Sequence, residues 1–271
     1  MQAFDLIEGW EAPHAAAGIV GGDEPIVLAV RGDSACASRW ASLTKVLTAL
    51  ATLVAFEEGV LDIDEPAGPP GANLRHLLAH ASGLAFDEDR VLAEPAQRRI
   101  YSNTGFEVLG ATVAERTAMP FEQYLREAVL EPLGLKSAYL EGSAAAGIVG
   151  PLEDVLRVAA ELLSPTLIAP ATLALATTVA FPGLAGVLPG FGYHDRQDWG
   201  LGLEVRGDKN PHWTGRRNSR ATFGHFGASG SFLWVDPDLG VACAALSDRP
   251  FGAWAKAAWP AFSDAVVDEL A

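Results

Sequence analysis

Ser42-Leu43-Thr44-Lys45 runs directly into an apolar stretch, Val46 to Phe56, that Glu57 closes. From Ser42 to Glu58 the chain has no glycine and is rich in Leu, Ala and Val, so a largely buried helix is predicted, with Ser42 at its start. Residues three apart on a helix lie one above the other, which places the Ser42 hydroxyl and the Lys45 amine on one face. A serine hydroxyl is a weak nucleophile until a neighbouring base or cation lowers the cost of its alkoxide, and a desolvated lysine can serve. Taken alone, the pair reads equally well as a solvated serine beside an exposed lysine.

Upstream, Ala15 to Val20 and Ile26 to Val30 flank Gly21-Gly22-Asp23-Glu24-Pro25, a composition suited to a turn between antiparallel strands. Downstream, from Leu61 to about Pro189, helical patterns punctuated by Pro and Gly dominate, including Thr104 to Thr117, Phe121 to Leu130 and Leu152 to Leu163. Strand patterns then return at Gly200 to Val205, Ser231 to Val235 and Val241 to Leu246, the last two joined by Asp236-Pro237-Asp238-Leu239-Gly240. Trp254 to Leu270 is amphipathic enough to cover a sheet face despite Pro260. Strands at both ends of the chain around a helical middle predict an α+β fold with one antiparallel sheet built from both termini and flanked by helices. The expected division is a sheet subdomain of residues 1–60 and 195–271 and a helical subdomain of residues 61–194, together one domain.

Two more segments carry chemistry. Tyr101-Ser102-Asn103 precedes a predicted helix; its phenol can move protons and its amide can position a substrate amide. Gly224-His225-Phe226-Gly227-Ala228-Ser229-Gly230-Ser231 is glycine-rich and leads into a strand, where a backbone can approach a ligand closely and an edge N–H can stabilise an oxyanion.

These three segments, in this order, resemble the serine β-lactamase and penicillin-binding protein superfamily, in its class C-like branch with related esterases and D-amino-acid peptidases. Supporting matches run through most of the chain: Gly59 to Pro66, Leu77 to Leu84, Glu131 to Leu135, Trp199 to Gly202 and the Asp236-Pro237 hairpin. The resemblance implies an antiparallel sheet beside a helical region, with the site between them. It makes Ser42 the acylated nucleophile, Lys45 its activating partner and Tyr101 the general base and acid. Asn103 is implied to hold the acyl side of the substrate, His225 stands where relatives carry Lys or His, and Ser42 and Ala228 supply the oxyanion N–H groups. Phe226, between His225 and Gly227, replaces the Thr or Ser whose hydroxyl helps relatives bind a substrate carboxylate.

The expectation is therefore a serine hydrolase acting through an acyl-enzyme on a small ester or amide, esterase-like rather than a true β-lactamase. The alternatives are a β-lactamase or D-Ala-D-Ala peptidase, and a slowly acylated binding or sensing protein. No cofactor or metal is expected. His76 and His80 are four apart, but no Glu follows His76 as a zinc-peptidase helix requires; His14, His194 and His212 have no partners at ligand spacing.

Composition agrees with an enzyme of small molecules. The chain has 271 residues, 49% hydrophobic and 20% charged, enough for a substantial core, and a net charge of −15 that disfavours nucleic acid and anionic membranes. The first thirty residues hold Asp5, Glu8 and Glu11 and no Lys or Arg, unlike a secretory leader, and no apolar run is long enough to insert in a membrane. Cys36 and Cys243 are too few for a disulfide framework, so a reducing, cytoplasmic location is expected. The arginines 216, 217 and 220 read as a solvated loop.

Overall fold

The structure, a computed structural model, describes residues 1–271. Its framework is a six-stranded antiparallel sheet of β1 (Ala15–Gly21), β2 (Ile26–Arg31), β3 (Glu204–Val205), β4 (Phe223–Gly227), β5 (Ser231–Asp236) and β6 (Val241–Ser247), in the order β2-β1-β6-β5-β4-β3. The sheet thus draws on both chain ends, as the patterning predicts. β1 closes against β6 in the register Ala15 opposite Ser247 to Gly21 opposite Val241.

Alternation along the strands explains why the sheet is covered twice. Ala16, Val20, Leu233, Val235, Ala242, Ala244 and Leu246 face one core with α1 (Thr44–Glu57), α2 (Asn103–Thr117) and α3 (Leu152–Leu163). The residues between them, Ala17, Ile19, Phe232, Trp234, Cys243 and Ala245, face a second core of Phe4, Trp10, Trp259, Phe262 and Val266. The last three belong to α4 (Ala253–Leu270), which continues through Pro260.

Three local expectations change. Ser42 lies in a single 3-10 turn, Ala41–Leu43, and the α-helix begins only at Thr44. Ala41 before it has φ 47°, a left-handed conformation unfavourable for a residue with a Cβ, and this kink presents Ser42 outside the regular helix. Gly200 to Leu203 is not a strand. Gly202 turns at φ +80° against Ala49, and Leu201 N–H is taken by Ala176, so only Glu204 and Val205 join the sheet. The helical middle also contains short strands, among them a ribbon of Gly186–Leu188 and Gly192–His194, too short to show a period in the sequence. No helix is long and apolar enough to cross a membrane.

Candidate active site

The site lies where the N-terminus of α1, the start of α2 and the β4 edge converge. Gly227 allows the approach: a Cβ there would stand 2.3 Å from the Trp40 carbonyl oxygen and 2.4 Å from Ser231 Oγ. Ser231 Oγ donates to that carbonyl at 2.8 Å, fixing the β4–β5 turn to the turn that carries Ser42. Because β3 pairs only with Phe223 and Gly224, the His225 end of β4 is an open edge. Ala228 follows it, exposed, with no acceptor in the protein for its N–H. Ser42 N–H belongs to the first turn of a helical segment, where no intrahelical acceptor exists.

Lys45 is completely buried, and its Nζ makes three contacts: Ser42 Oγ at 3.4 Å, Asn103 Oδ1 at 2.6 Å and the Ala145 carbonyl at 2.9 Å. Burial pulls its pKa from 10.5 to about 7, against the opposing pull of Glu107 and Asp87. A neutral amine has two hydrogens and one lone pair. The two carbonyl-type oxygens can only accept, so they take the hydrogens and leave the lone pair for the Ser42 O–H.

Tyr101 is also enclosed, its ring centroid 4.4 Å from His80, 5.9 Å from Phe86 and 5.9 Å from Trp199. Burial raises its pKa well above the ordinary phenol value despite a hydrogen bond with Ser42, so Tyr101 holds its proton at neutral pH. His225 Nδ1 stands 2.7 Å from the Phe226 carbonyl, which can only accept; Nδ1 therefore carries the hydrogen, and the bare Nε2 lies 3.4 Å from the Tyr101 hydroxyl oxygen. Burial, with Lys45 nearby, lowers the His225 pKa to about 3, so the imidazole is uncharged at physiological pH.

The site residues read from the sequence therefore do converge, in two layers. Ser42, Tyr101, His225, Phe226 and Ala228 line a partly open cavity of about 240 Å³ with Trp199, Trp213 and Phe251, while Lys45, Asn103 and Gly227 do not line it. Asn103 is committed on both sides, accepting from Lys45 and donating to Asp87 Oδ1 at 2.7 Å. One amide hydrogen remains for a substrate. Phe226 is core as much as lining, 9% exposed and packed on Phe251, Trp213 and Trp259 at centroid distances of 5.0, 5.8 and 5.9 Å.

Several supporting residues stand outside the site read from the sequence. Glu107, one turn into α2, accepts the Ala144 and Ala145 N–H groups and so aims the Ala145 carbonyl at Lys45. His80 Nδ1 accepts from Ser102 N–H, so Nε2 carries the hydrogen, buried without a partner. His76 instead bonds Asn73 and stacks on Phe181, and no group of three or more His, Cys, Asp or Glu side chains is arranged to hold a metal.

His212, partnerless by spacing, is buried against Glu204 on the cavity wall. Its Nε2–H donates to Glu204 Oε2 at 2.8 Å, Trp213 Nε1–H donates to the same oxygen at 3.0 Å, and Lys209 Nζ ion-pairs with Oε1 at 2.6 Å. Burial pushes the Glu204 pKa up, but His212 and Lys209 outweigh it and hold the carboxyl far below the ordinary range. Glu204→Ala should cost about 3–5 kcal/mol in urea unfolding at pH 7, because Lys209 is left buried without its anion. This contribution is present above the unfolded carboxyl pKa and is lost as pH falls below about 4. A loss under about 1 kcal/mol would show that the pair is not buried as a charged unit.

Comparisons with known proteins give the family and the fold. The family model described as Beta-lactamase matches residues 6–266. The crystal structure of a beta-lactamase from Mycobacterium bovis is 50% identical, covers 99% of both chains and superposes with a TM-score of 0.96. Penicillin-binding protein 4* of Bacillus subtilis is 27% identical over 35% of this chain; the match spans only 28% of that relative's length. EstCE1, described as a hydrolase with promiscuous acyltransferase activity, shares the fold at a TM-score of 0.78, with 19% identity over 98% of both chains.

Proposed function

Because this chain belongs to the Beta-lactamase family, we propose that it is a serine hydrolase that forms an acyl-enzyme on Ser42, with esters as the preferred substrates. The observation that carries the reading is the Lys45 amine, whose hydrogens go to Asn103 and Ala145 and whose lone pair remains for Ser42. We assign the first proton transfer to Lys45 rather than Tyr101, since Tyr101 is held in its protonated form.

Neutral Lys45 takes the Ser42 proton as Oγ bonds to the substrate carbonyl carbon, and the oxyanion lies against the N–H groups of Ser42 and Ala228. Collapse breaks the bond to the leaving oxygen, which receives the Tyr101 proton; Tyr101 recovers one from the Lys45 ammonium. Water then attacks the acyl-enzyme by the same relay in reverse and releases the acid. The Ser42 proton has then passed, by way of Lys45 and Tyr101, to the departing alcohol.

A second reading, hydrolysis of β-lactams, is favoured by the 50% identity to the Mycobacterium bovis beta-lactamase. A β-lactam carries a carboxylate close to the scissile bond. Here the neighbouring His225 is uncharged and Phe226 offers no hydroxyl, so an anion there meets apolar surroundings. The missing charge-assisted hydrogen bond is worth about 1.5–3 kcal/mol, roughly 10- to 100-fold in rate. Phe226→Thr is a poor test, because it also opens a cavity among Phe251, Trp213 and Trp259. The change belongs on the substrate. A short-chain nitrophenyl ester should show kcat/KM at least about 100-fold above that of a chromogenic cephalosporin, and masking the cephalosporin carboxylate as its methyl ester should recover about tenfold or more. A preference for the free-acid cephalosporin would replace the esterase reading with the β-lactamase one.

A further inference from the structure

Beside the inner cavity lies a wider groove of about 670 Å³ that shares Phe86, Tyr101 and Pro189 with it as a common wall. Its volume falls in the range of small-molecule sites, whereas the inner cavity, at about 240 Å³, is under half that size. One side of the groove is Phe86 and Leu92, the other Val187 and Tyr193, directly opposite each other across the short ribbon. All four are exposed, Tyr193 at 65% and Val187 at 56%, although a solvated surface gains nothing from an apolar group there.

Both walls are pinned. The Phe86 carbonyl accepts the N–H groups of Asn103 and Thr104, and Arg99 N–H donates to Ala185 at the foot of the ribbon. The Arg99 side chain is buried and donates to the carbonyls of Ala79, Gln197, Ala180 and Phe181, so it is fully engaged in holding the floor. Arg98 differs. It is exposed, makes no ion pair and uses only one N–H, to the Leu92 carbonyl, in a chain whose net charge is −15.

We propose that this groove is the leaving-group subsite, and that the substrate class is an ester joining a short acyl group to a bulky apolar alcohol that carries an anion at its far end, facing Arg98. This rests on the hydrolase reading above: the departing oxygen must lie against Tyr101 to receive its proton, and Tyr101 is the wall that the inner cavity shares with the groove. The acyl group is left with the inner cavity. The distal anion is separate from the carboxylate of a β-lactam, which lies beside the reacting carbon near His225.

The test compares acetate esters of phenol, 2-naphthol and 6-hydroxy-2-naphthoic acid, whose phenolic leaving groups are of similar acidity. The second ring should raise kcat/KM by about tenfold through burial in the groove. The carboxylate should add about threefold in low salt and lose it at high salt, as an exposed ion pair does. Val187→Glu should lower kcat/KM for naphthyl acetate far more than for phenyl acetate and so remove the naphthyl preference; Arg98→Glu should reverse the carboxylate preference alone. Binding of 6-hydroxy-2-naphthoate to the Ser42→Ala protein, followed by its fluorescence, gives a readout that needs no turnover. Binding that Val187→Glu and Arg98→Glu each weaken supports the groove even if no ester is hydrolysed, in which case only the hydrolase reading fails. Ester hydrolysis with no leaving-group preference, or naphthoate binding indifferent to both changes, overturns the groove assignment and leaves that reading standing.

Discussion

Replacing Ser42 with Ala should abolish covalent labelling by a fluorophosphonate probe and lower ester turnover by about 10⁴- to 10⁶-fold. The attacking oxygen is then missing, while the Ala228 N–H and the cavity walls are untouched and substrate binding persists. Residual hydrolysis would come from water at the same oxyanion donors. The fold should tolerate the change, since Ser42 is only partly buried and its hydroxyl faces Lys45 and Tyr101 rather than the core. Intact-protein mass spectrometry reads the label directly: a probe adduct formed at the wild-type rate would remove Ser42 from the mechanism.

Lys45→Met should reduce kcat by about 10³-fold or more. In the wild type, kcat/KM should rise tenfold per pH unit below about 7 and level off above it, because only the neutral amine has a lone pair to offer. The Met variant should lack this limb. Tyr101→Phe should cost about 10²- to 10⁴-fold, yet combining it with Lys45→Met should cost far less than the product, since the two groups serve one proton relay. Fully multiplicative losses would show that they act independently.

Stability follows from the same pKa. The folded value of about 7 lies below the unfolded 10.5, so between them the unfolded chain binds more protons and wild-type stability rises with pH. At pH 7 burying Lys45 opposes folding by about 4–5 kcal/mol. Met fills the same space without that cost but leaves the Asn103 and Ala145 oxygens without a donor, each worth about 1–3 kcal/mol. The balance at pH 7 lies between a loss of about 2 and a gain of about 3 kcal/mol, and it moves against the variant toward pH 10 as the wild type gains stability. Urea unfolding at pH 7 and 9 measures it; a wild-type stability that stays level or falls over that range contradicts a buried, neutral Lys45.

Local patterning was enough to identify the elements that carry the site. Ser42 and Lys45 stand three apart at a helix start, the Tyr101-Ser102-Asn103 triplet opens α2, and the glycine-rich segment forms the β4 edge and its turn. Each is a contiguous signal, whereas β1, β5 and β6 are near-continuous apolar runs whose division between two cores shows only in the fold. The chemistry of those residues was decided elsewhere. Lys45 is a base because of burial and of a carbonyl 100 positions away that Glu107 aims; Tyr101 keeps its proton because His80, Phe86 and Trp199 enclose it. His225 is uncharged because it is buried near Lys45, and Phe226 belongs to an aromatic core assembled from α4 and distant loops. The groove likewise joins a loop near Phe86 to a ribbon some 100 residues later. Periodicity and motif spacing report on neighbours along the chain, whereas desolvation, Coulomb fields and hydrogen-bond direction depend on neighbours in space; the sequence by itself therefore determined the elements and the candidate groups, and only the tertiary structure decided their protonation states and the shape that a substrate must fit.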